Sequence, residues 1–337
     1  SYLKCLFVNM NNFYFQSRGI ADFAGDFVRH GGRTLLIDQV FKQSDWSKEL
    51  RKCYDLYPEL RIVFTGSSVM RLKEENPELN GIVKSYNLRG FSFREFINLQ
   101  TGNSFQPYTL DEILRNHEHI IKQILPKVSP MKYFQDYLHH GFYPFFLENR
   151  NFTENLLKTM NMMTEVDILL IKQIELKYLT KIKRLFYQLA VKGAKAPNVS
   201  QLAEEINTSR ATVMNYIKYL ADARLINMIY PTGQEFPKKP SKVMMHNSNL
   251  MYAIYPIKID KQEVMETFFV NSLWKDHKVS QTGKDHYFIV DGEKKFRICD
   301  AQSPNKVRNN PDIIYARYNT EVGKDNRIPL WLLGFLY

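Results

Sequence analysis

The residues best suited to do chemistry close two short apolar runs. Leu35-Leu36-Ile37 leads into Asp38 and Gln39, and Ile62-Val63-Phe64 leads into Thr65-Gly66-Ser67-Ser68. Ligands of open α/β sheets sit beyond the carboxyl ends of the strands, so a strand ending in Asp38 aims a carboxylate at a ligand. One carboxylate in that place can hold a Mg²⁺ that bridges nucleotide phosphates. The hydroxyls of Thr65, Ser67 and Ser68 could contact a γ-phosphate or an attacking water. The residue after the carboxylate is an amide. Gln39 can hydrogen-bond a water but lacks the basicity to take its proton. The pair predicts nucleotide binding and calls hydrolysis into question.

These groups need a parallel sheet to position them, and the surrounding pattern supplies one. Leu3 to Met10 reads as a buried strand, Gly19 to His30 has helical apolar spacing, and Gly31-Gly32 breaks the helix before the strand Arg33 to Asp38. Trp46, Leu50, Cys53, Tyr54 and Tyr57 recur at helical intervals before the third strand, Arg61 to Gly66. Alternation of strand and helix is the grammar of a parallel α/β sheet. Leu110 to Ala190 is mostly helical, and a mixed region from Lys242 carries a helix from Gln262 to Lys275 and two strands flanking an Asp291-Gly292 hairpin turn.

A second constellation lies between Val199 and Tyr230. A first helix with a Ser cap gives way to Asn207-Thr208-Ser209, and a second follows from Arg210 to Leu220, with Val213, Ile217 and Leu220 on one face. This is a helix-turn-helix, and Leu225 to Tyr230 supplies a strand for a wing. Ala211 suits a tight helix crossing, and Tyr216 is expected off the apolar face. Ser209, Arg210, Thr212 and Asn215 could meet phosphates or base edges of DNA; packing against protein is the competing use of such a module.

The chain has 337 residues, 44% of them hydrophobic, enough for two or three cores, and a formal net charge of +11 that favours an anionic partner such as nucleic acid or phosphates. Cys5, Cys53 and Cys299 have no metal or redox spacing and read as small buried hydrophobes in a reducing compartment. No signal peptide and no membrane-length apolar run is seen, which predicts a cytoplasmic protein with no membrane partner. His117 and His119, two apart, and the adjacent His139-His140 lack the spacing that converges metal ligands.

The order Leu35 to Lys42, Trp46 to Leu50, Ile62 to Ser68 and Leu88 to Phe96, continued through Tyr137 to Pro144 and Ile328 to Tyr337, resembles the prokaryotic AAA-type P-loop ATPases that carry a C-terminal domain of unknown function. The resemblance implies an AAA-type core over residues 1–105, a helical region over 106–180, a winged helix-turn-helix over 181–235 and a small α/β restriction-endonuclease-like domain over 242–337. It implies ATP and Mg as cofactors, and Arg89 as a finger on the γ-phosphate or a surface arginine. Arg94 is expected at the surface beside Glu95.

The departures are specific. Family members usually read Asp-Glu-Val-His where this chain has Asp38-Gln39-Val40-Phe41, and no Gly-Lys-Ser/Thr loop occurs in the 337 residues. A trimmed N-terminus is the expected reason; the alternative is a protein that has lost its phosphate-binding unit. In the last domain Tyr287, Arg297 and Cys299 stand where the resemblance places the acidic pair and lysine of a nuclease, and Glu266 alone remains, so the domain is expected to be inactive. Two readings stay open: an ATP-binding AAA-type protein with a nucleic-acid or partner-binding module, and a non-catalytic DNA- or protein-binding scaffold derived from one.

Overall fold

The computed structural model describes residues 4–67, 76–148, 151–281, 287–302 and 310–337. The chain forms two compact units, residues 1–88 with 167–174, and residues 89–166 with 175–337. Among the described residues no helix is long and apolar enough to cross a membrane.

The first unit alternates strand and helix: β1 Cys5–Asn9, α1 Ile20–Arg29, β2 Thr34–Asp38, α2 Trp46–Leu56 and β3 Arg61–Phe64. The strands are parallel in the order β1-β2-β3, so β2 is central and its Asp38 lies level with Asn9. Leu35 and Ile37 point into the core and are fully buried, and Ala24, Leu50 and Cys53 of the two helices join the same cluster. Gly31, at a φ of 87°, lets the chain leave α1 while the Gly31 and Gly32 amides bond the Val28 and Phe27 carbonyls. The α1 terminus is capped from outside, by Glu49 of α2, whose carboxylate accepts from the Ala21 amide.

β1 is not the buried strand expected. Phe7 is 62% exposed and Val63 58%, and the register lines Phe7, Leu36 and Val63 across the face opposite the helices. Both helices cover the Leu35 and Ile37 face, so the alternate residues of β1 stay open to solvent. The exposure of Cys5 has the same origin, while Cys53 is buried and Cys299 half-buried.

The second unit continues with α3 Phe93–Thr101, α4 Leu110–Ile124, α5 Met131–Asp136 and α6 Phe152–Met162. The short α7 Leu169–Ile171 belongs to the first unit, and α8 Leu179–Lys192, α9 Val199–Glu205 and α10 Arg210–Asp222 follow. Then come β4 Ile226–Ile229, β5 Lys242–Met245, α11 Ser248–Ile254, α12 Lys261–Leu273, β6 Val279–Gln281, β7 Phe288–Val290, β8 Lys294–Asp300, β9 Ile313–Tyr318 and β10 Arg327–Pro329. Ser92 and Thr109 open α3 and α4 with complete capping boxes to Glu95 and Glu112.

β4 and β5 pair antiparallel. The larger sheet runs β10-β9-β8-β7-β6, parallel from β10 to β8 and antiparallel from there to β6. Asp291 and Gly292 both take positive φ, 54° and 81°, as a tight hairpin between β7 and β8 requires. α12 is buried on almost every side, and with residues 330–335 it holds the aromatic core of Phe93, Phe134, Phe268 and Trp331.

Candidate functional site

Asp38 closes the central strand of the first unit and is tied to both neighbours. The Asn9 amide, at the end of β1, donates to its Oδ2 at 2.7 Å, and the Thr65 hydroxyl, just past β3, donates to its Oδ1. The backbone N–H of Gln39 in turn donates to Thr65 Oγ1 at 3.1 Å. Three adjacent strand ends are thereby laced around one carboxylate. Gln39 itself sits in the left-handed region at φ 56°, ψ 49°, an unfavourable place for a residue with a Cβ. Strain at the residue following the carboxylate is where a functional turn would store it.

Ser67, next along the same loop, donates to Asp167 Oδ2 at 2.6 Å. Asp167 is buried, arrives from the segment 167–174 and belongs to the same unit. Burial pushes its carboxyl above the ordinary range, against the lowering effects of the Ser67 hydrogen bond and the Lys42 charge. The structure therefore brings Asp38, Gln39, Thr65 and Ser67 together and adds Asn9, Asp167 and Lys42. Ser68 lies outside the described residues. Asn9 shows in the sequence only as a polar residue closing an apolar run; that it stands level with Asp38 comes from the strand pairing. Asp167, 100 residues beyond Ser67, has no signal in the sequence.

The donor set suits a hard cation: a carboxylate with further lone pairs on both oxygens and a hydroxyl beside it. Among the described residues no group of three or more His, Cys, Asp or Glu side chains could hold a metal ion. A metal at Asp38 would thus share its coordination with other ligands, as Mg²⁺ does with phosphates and waters.

Arg89 lies in the second unit. Its Nη2 meets Asp276 Oδ2 at 3.2 Å, its guanidinium stacks 4.1 Å from the centre of the Tyr337 ring, and its side chain is 10% exposed. Arg94 is not the surface arginine expected. It donates to the backbone carbonyls of Tyr337 and Phe105 and stands 3.7 Å from Glu95.

In the helix pair, Ser209 caps α10, its Oγ accepting from the Thr212 amide at 3.1 Å and lying 2.9 Å from Thr212 Oγ1. Arg210 and Asn215 are exposed and free to reach outward, whereas Ser209 and Thr212 are partly committed to the cap. Three details differ from the sequence reading, the first being that α9 is capped by Asn198, whose side chain accepts from the Gln201 amide, and not by a serine. Tyr216 is buried, its ring 6.3 Å from that of Tyr219, and Ala211 is exposed while Ala203 of α9 is the buried alanine.

Glu266 of α12 is paired with Lys242 of β5 at 2.6 Å, both side chains nearly buried, and accepts from Gln262 Nε2 at 3.1 Å. The Arg297 guanidinium stands 6.0 Å from the Tyr287 ring centre, and burial raises the Cys299 thiol.

With this geometry in place, the likenesses to other proteins are partial. Residues 1–97 match a family model described as an AAA domain, and residues 131–261 match a domain of unknown function. Uncharacterized protein MJ1637 of Methanocaldococcus jannaschii is 27% identical over 205 residues, 59% of this chain and 43% of that protein. MJ1544 of the same organism is 23% identical over 209 residues, 58% of this chain and 43% of its own length. The chain thus spans less than half the length of the curated relatives it matches. No solved structure matches it. The N-terminal part is AAA-like.

Proposed function

We propose that the first unit is an AAA-type nucleotide-binding core in which Asp38 holds the Mg²⁺ of bound ATP and Thr65 and Ser67 face the γ-phosphate side. The observation that carries this reading is the lacing of Asp38 between Asn9 and Thr65 at the carboxyl end of a central parallel strand. The family match over residues 1–97 supports it. Mg²⁺ would supply charge neutralisation of the phosphates; the protein's part is to fix the carboxylate and the hydroxyls in one place. Gln39 orients water without taking its proton, so turnover is slow.

In this reading α9, α10 and the β4-β5 pair form a winged helix that presents Arg210 and Asn215 to DNA phosphates, with Ser209 and Thr212 contributing at the helix start. The division into 1–105, 106–180, 181–235 and 242–337 belongs to the same proposal, as does a restriction-endonuclease-like last domain that cuts nothing because Glu266 is spent on Lys242. The second reading, a scaffold that binds partners without nucleotide, is favoured by one observation: both Asp38 oxygens already accept protein hydrogen bonds.

Binding of a fluorescent ATP analogue with and without Mg²⁺ separates the two. Mg²⁺-dependent binding that is lost in Asp38→Asn supports the nucleotide reading, and binding indifferent to both Mg²⁺ and Asp38 overturns it. Gln39→Glu should then raise hydrolysis. DNA affinity should fall with salt, and Arg210→Gln should reduce the log–log slope by about 1.

A further inference from the structure

We propose that the outer face of the larger sheet, across β8, β9 and β10, binds a single-stranded nucleic acid through its phosphates. The surface lies wholly in the second unit and shares no residue with the nucleotide site or with α9 and α10.

The register of the strands assembles it. Ile298, Ala316 and Ile328 stand level and face the core that α12 covers, so the alternate positions turn outward. Across the strands those outward positions read Ile289, Lys295 and Ile313, then Arg297, Tyr315 and Arg327, then Cys299, Arg317 and Pro329. Tyr287 leads into β7 with its ring centre 6.0 Å from the Arg297 guanidinium. Lys295 is exposed, and Tyr287, Arg297, Arg317 and Arg327 are half-buried. Arg297 and Arg327 are two strands apart, about 10 Å between backbones, and Lys295 and Arg317 are each displaced by about 6.6 Å along β8 and β9.

The face carries charge of one sign. Its rows contain Lys295, Arg297, Arg317 and Arg327 and no carboxylate, and among the described residues none of these cations has an ion-pair partner. The adjacent Lys294, of the opposite parity, does meet acids, Asp111 and Glu293, and Asp300 at the end of β8 is taken by the Asn319 side-chain amide at 2.9 Å. Arg317 donates to the Ala301 carbonyl, and Tyr315 forms a buried floor between Arg297 and Arg327, its hydroxyl accepting from the Asn310 amide at 3.3 Å. The Cys299 thiol registers the gathering: burial raises it, while Arg317, Arg297 and Arg327 all pull the other way. A surface made only for solubility intersperses both signs. Half-buried guanidiniums of one sign repel each other, and a chain of phosphates cancels that repulsion along its length. Cations spread over about 10 Å suit such a chain better than a single small anion. Tyr287 beside Arg297 offers a ring on which a base can stack, the other element of single-strand surfaces.

The probe is a fluorescently labelled oligothymidylate of about twelve residues, followed by anisotropy with the full chain between about 50 and 200 mM KCl. Parent binding should fall with salt at a log–log slope of about −2 to −3, the value for three or four phosphate contacts on a single strand. The double variant Arg297→Gln, Arg327→Gln should bind roughly twentyfold more weakly at about 0.1 M salt, with a slope shallower by about 1.4. Arg297→Lys with Arg327→Lys should stay near the parent, because a phosphate accepts a point charge. Tyr287→Ala should weaken binding about tenfold and leave the slope alone. Lys295→Gln, at an exposed position, should make the slope shallower by about 0.7, and it carries the test if the double variant melts early. Each titration is repeated on Arg210→Gln, which should leave the oligothymidylate curve unchanged; its effect on duplex DNA bears on the helix pair alone. Polyglutamate at equal charge concentration should fail to displace the oligonucleotide. The proposal is overturned by absence of binding, by binding that the Arg297, Arg327 and Lys295 glutamine variants leave unaltered, by duplex binding more tightly than single strand in Arg210→Gln, or by displacement with polyglutamate.

Discussion

Removing the Lys242 ammonium while leaving Glu266 in place should be one of the more damaging single changes in the second unit. The two side chains are 12% and 13% exposed, and their charged atoms are 2.6 Å apart. With the partner gone, the carboxylate keeps one side-chain hydrogen bond, from Gln262, and faces the apolar surroundings of α12. Breaking a buried pair from one side costs about 3–5 kcal/mol, and the residual exposure here argues for the lower end, about 3 kcal/mol. At 1.4 kcal/mol per decade that is about a hundredfold in the folding equilibrium. Replacing both partners by apolar residues of similar length removes the orphaned charge and should restore most of the loss. The assay is urea unfolding of Lys242→Met, Glu266→Leu and the double variant, followed by tryptophan fluorescence and circular dichroism. If Lys242→Met lies within about 0.5 kcal/mol of the parent, the pair is not buried in the sense argued. If the double variant loses the sum of the two single losses, the coupling is absent and the reasoning fails.

Further outcomes are expected. His246 is held neutral by burial, with Arg224 and Arg89 adding to the effect, and its pKa is lowered from 6.5 to about 3. Its folded-state pKa lies below the unfolded one, so its contribution is complete above pH 6.5 and is lost as pH falls towards 3, at up to about 1.4 kcal/mol per pH unit. The urea midpoint of His246→Asn between pH 7 and 5 should fall less steeply than that of the parent, and equal slopes would contradict this. A thiol reagent should label exposed Cys5 at once and Cys53, whose thiol is pushed up to about 12 by burial, only on unfolding. His117 is buried with neither ring nitrogen bonded among the described residues, so His117→Leu should be neutral or stabilising by roughly 1 kcal/mol in chemical denaturation. Leu35→Ala empties a fully buried position under α1 and should cost about 2–5 kcal/mol in the same measurement.

The elements of the first unit were legible because each side-chain period matches its backbone. Ile20, Ala24 and Phe27 recur at helical spacing, and Leu35 and Ile37 alternate towards the core. Asp38 was legible as the end of a strand. Its partner Asn9 is set by the register of a parallel pairing, which no local pattern encodes, and Asp167 reaches Ser67 only through a return of the chain. Burial was overread at Cys5 and Phe7 for a related reason: an apolar run reports what could be covered, and only the packing decides which face is. The sequence left Arg89 open between a γ-phosphate finger and a surface arginine, and its meeting with Asp276 spans 187 positions, beyond any local pattern. The Asp291-Gly292 turn was legible because it acts within two residues, whereas the Ser cap expected for α9 is Asn198, whose side chain accepts from the Gln201 amide.

The segment 167–174 has a bearing on heredity. It lies inside the stretch 131–261 that matches one family, yet it folds with the unit whose sequence matches another over 1–97. Ile168 is fully buried there and Asp167 holds Ser67. A crossover between two such genes anywhere from residue 98 to 166 would hand a recipient loop one parent's strap and the other's serine. The two sequence families are therefore poor units of exchange, and those chimeras that survive should be the ones in which Ser67, Asp167 and Ile168 descend from a single parent.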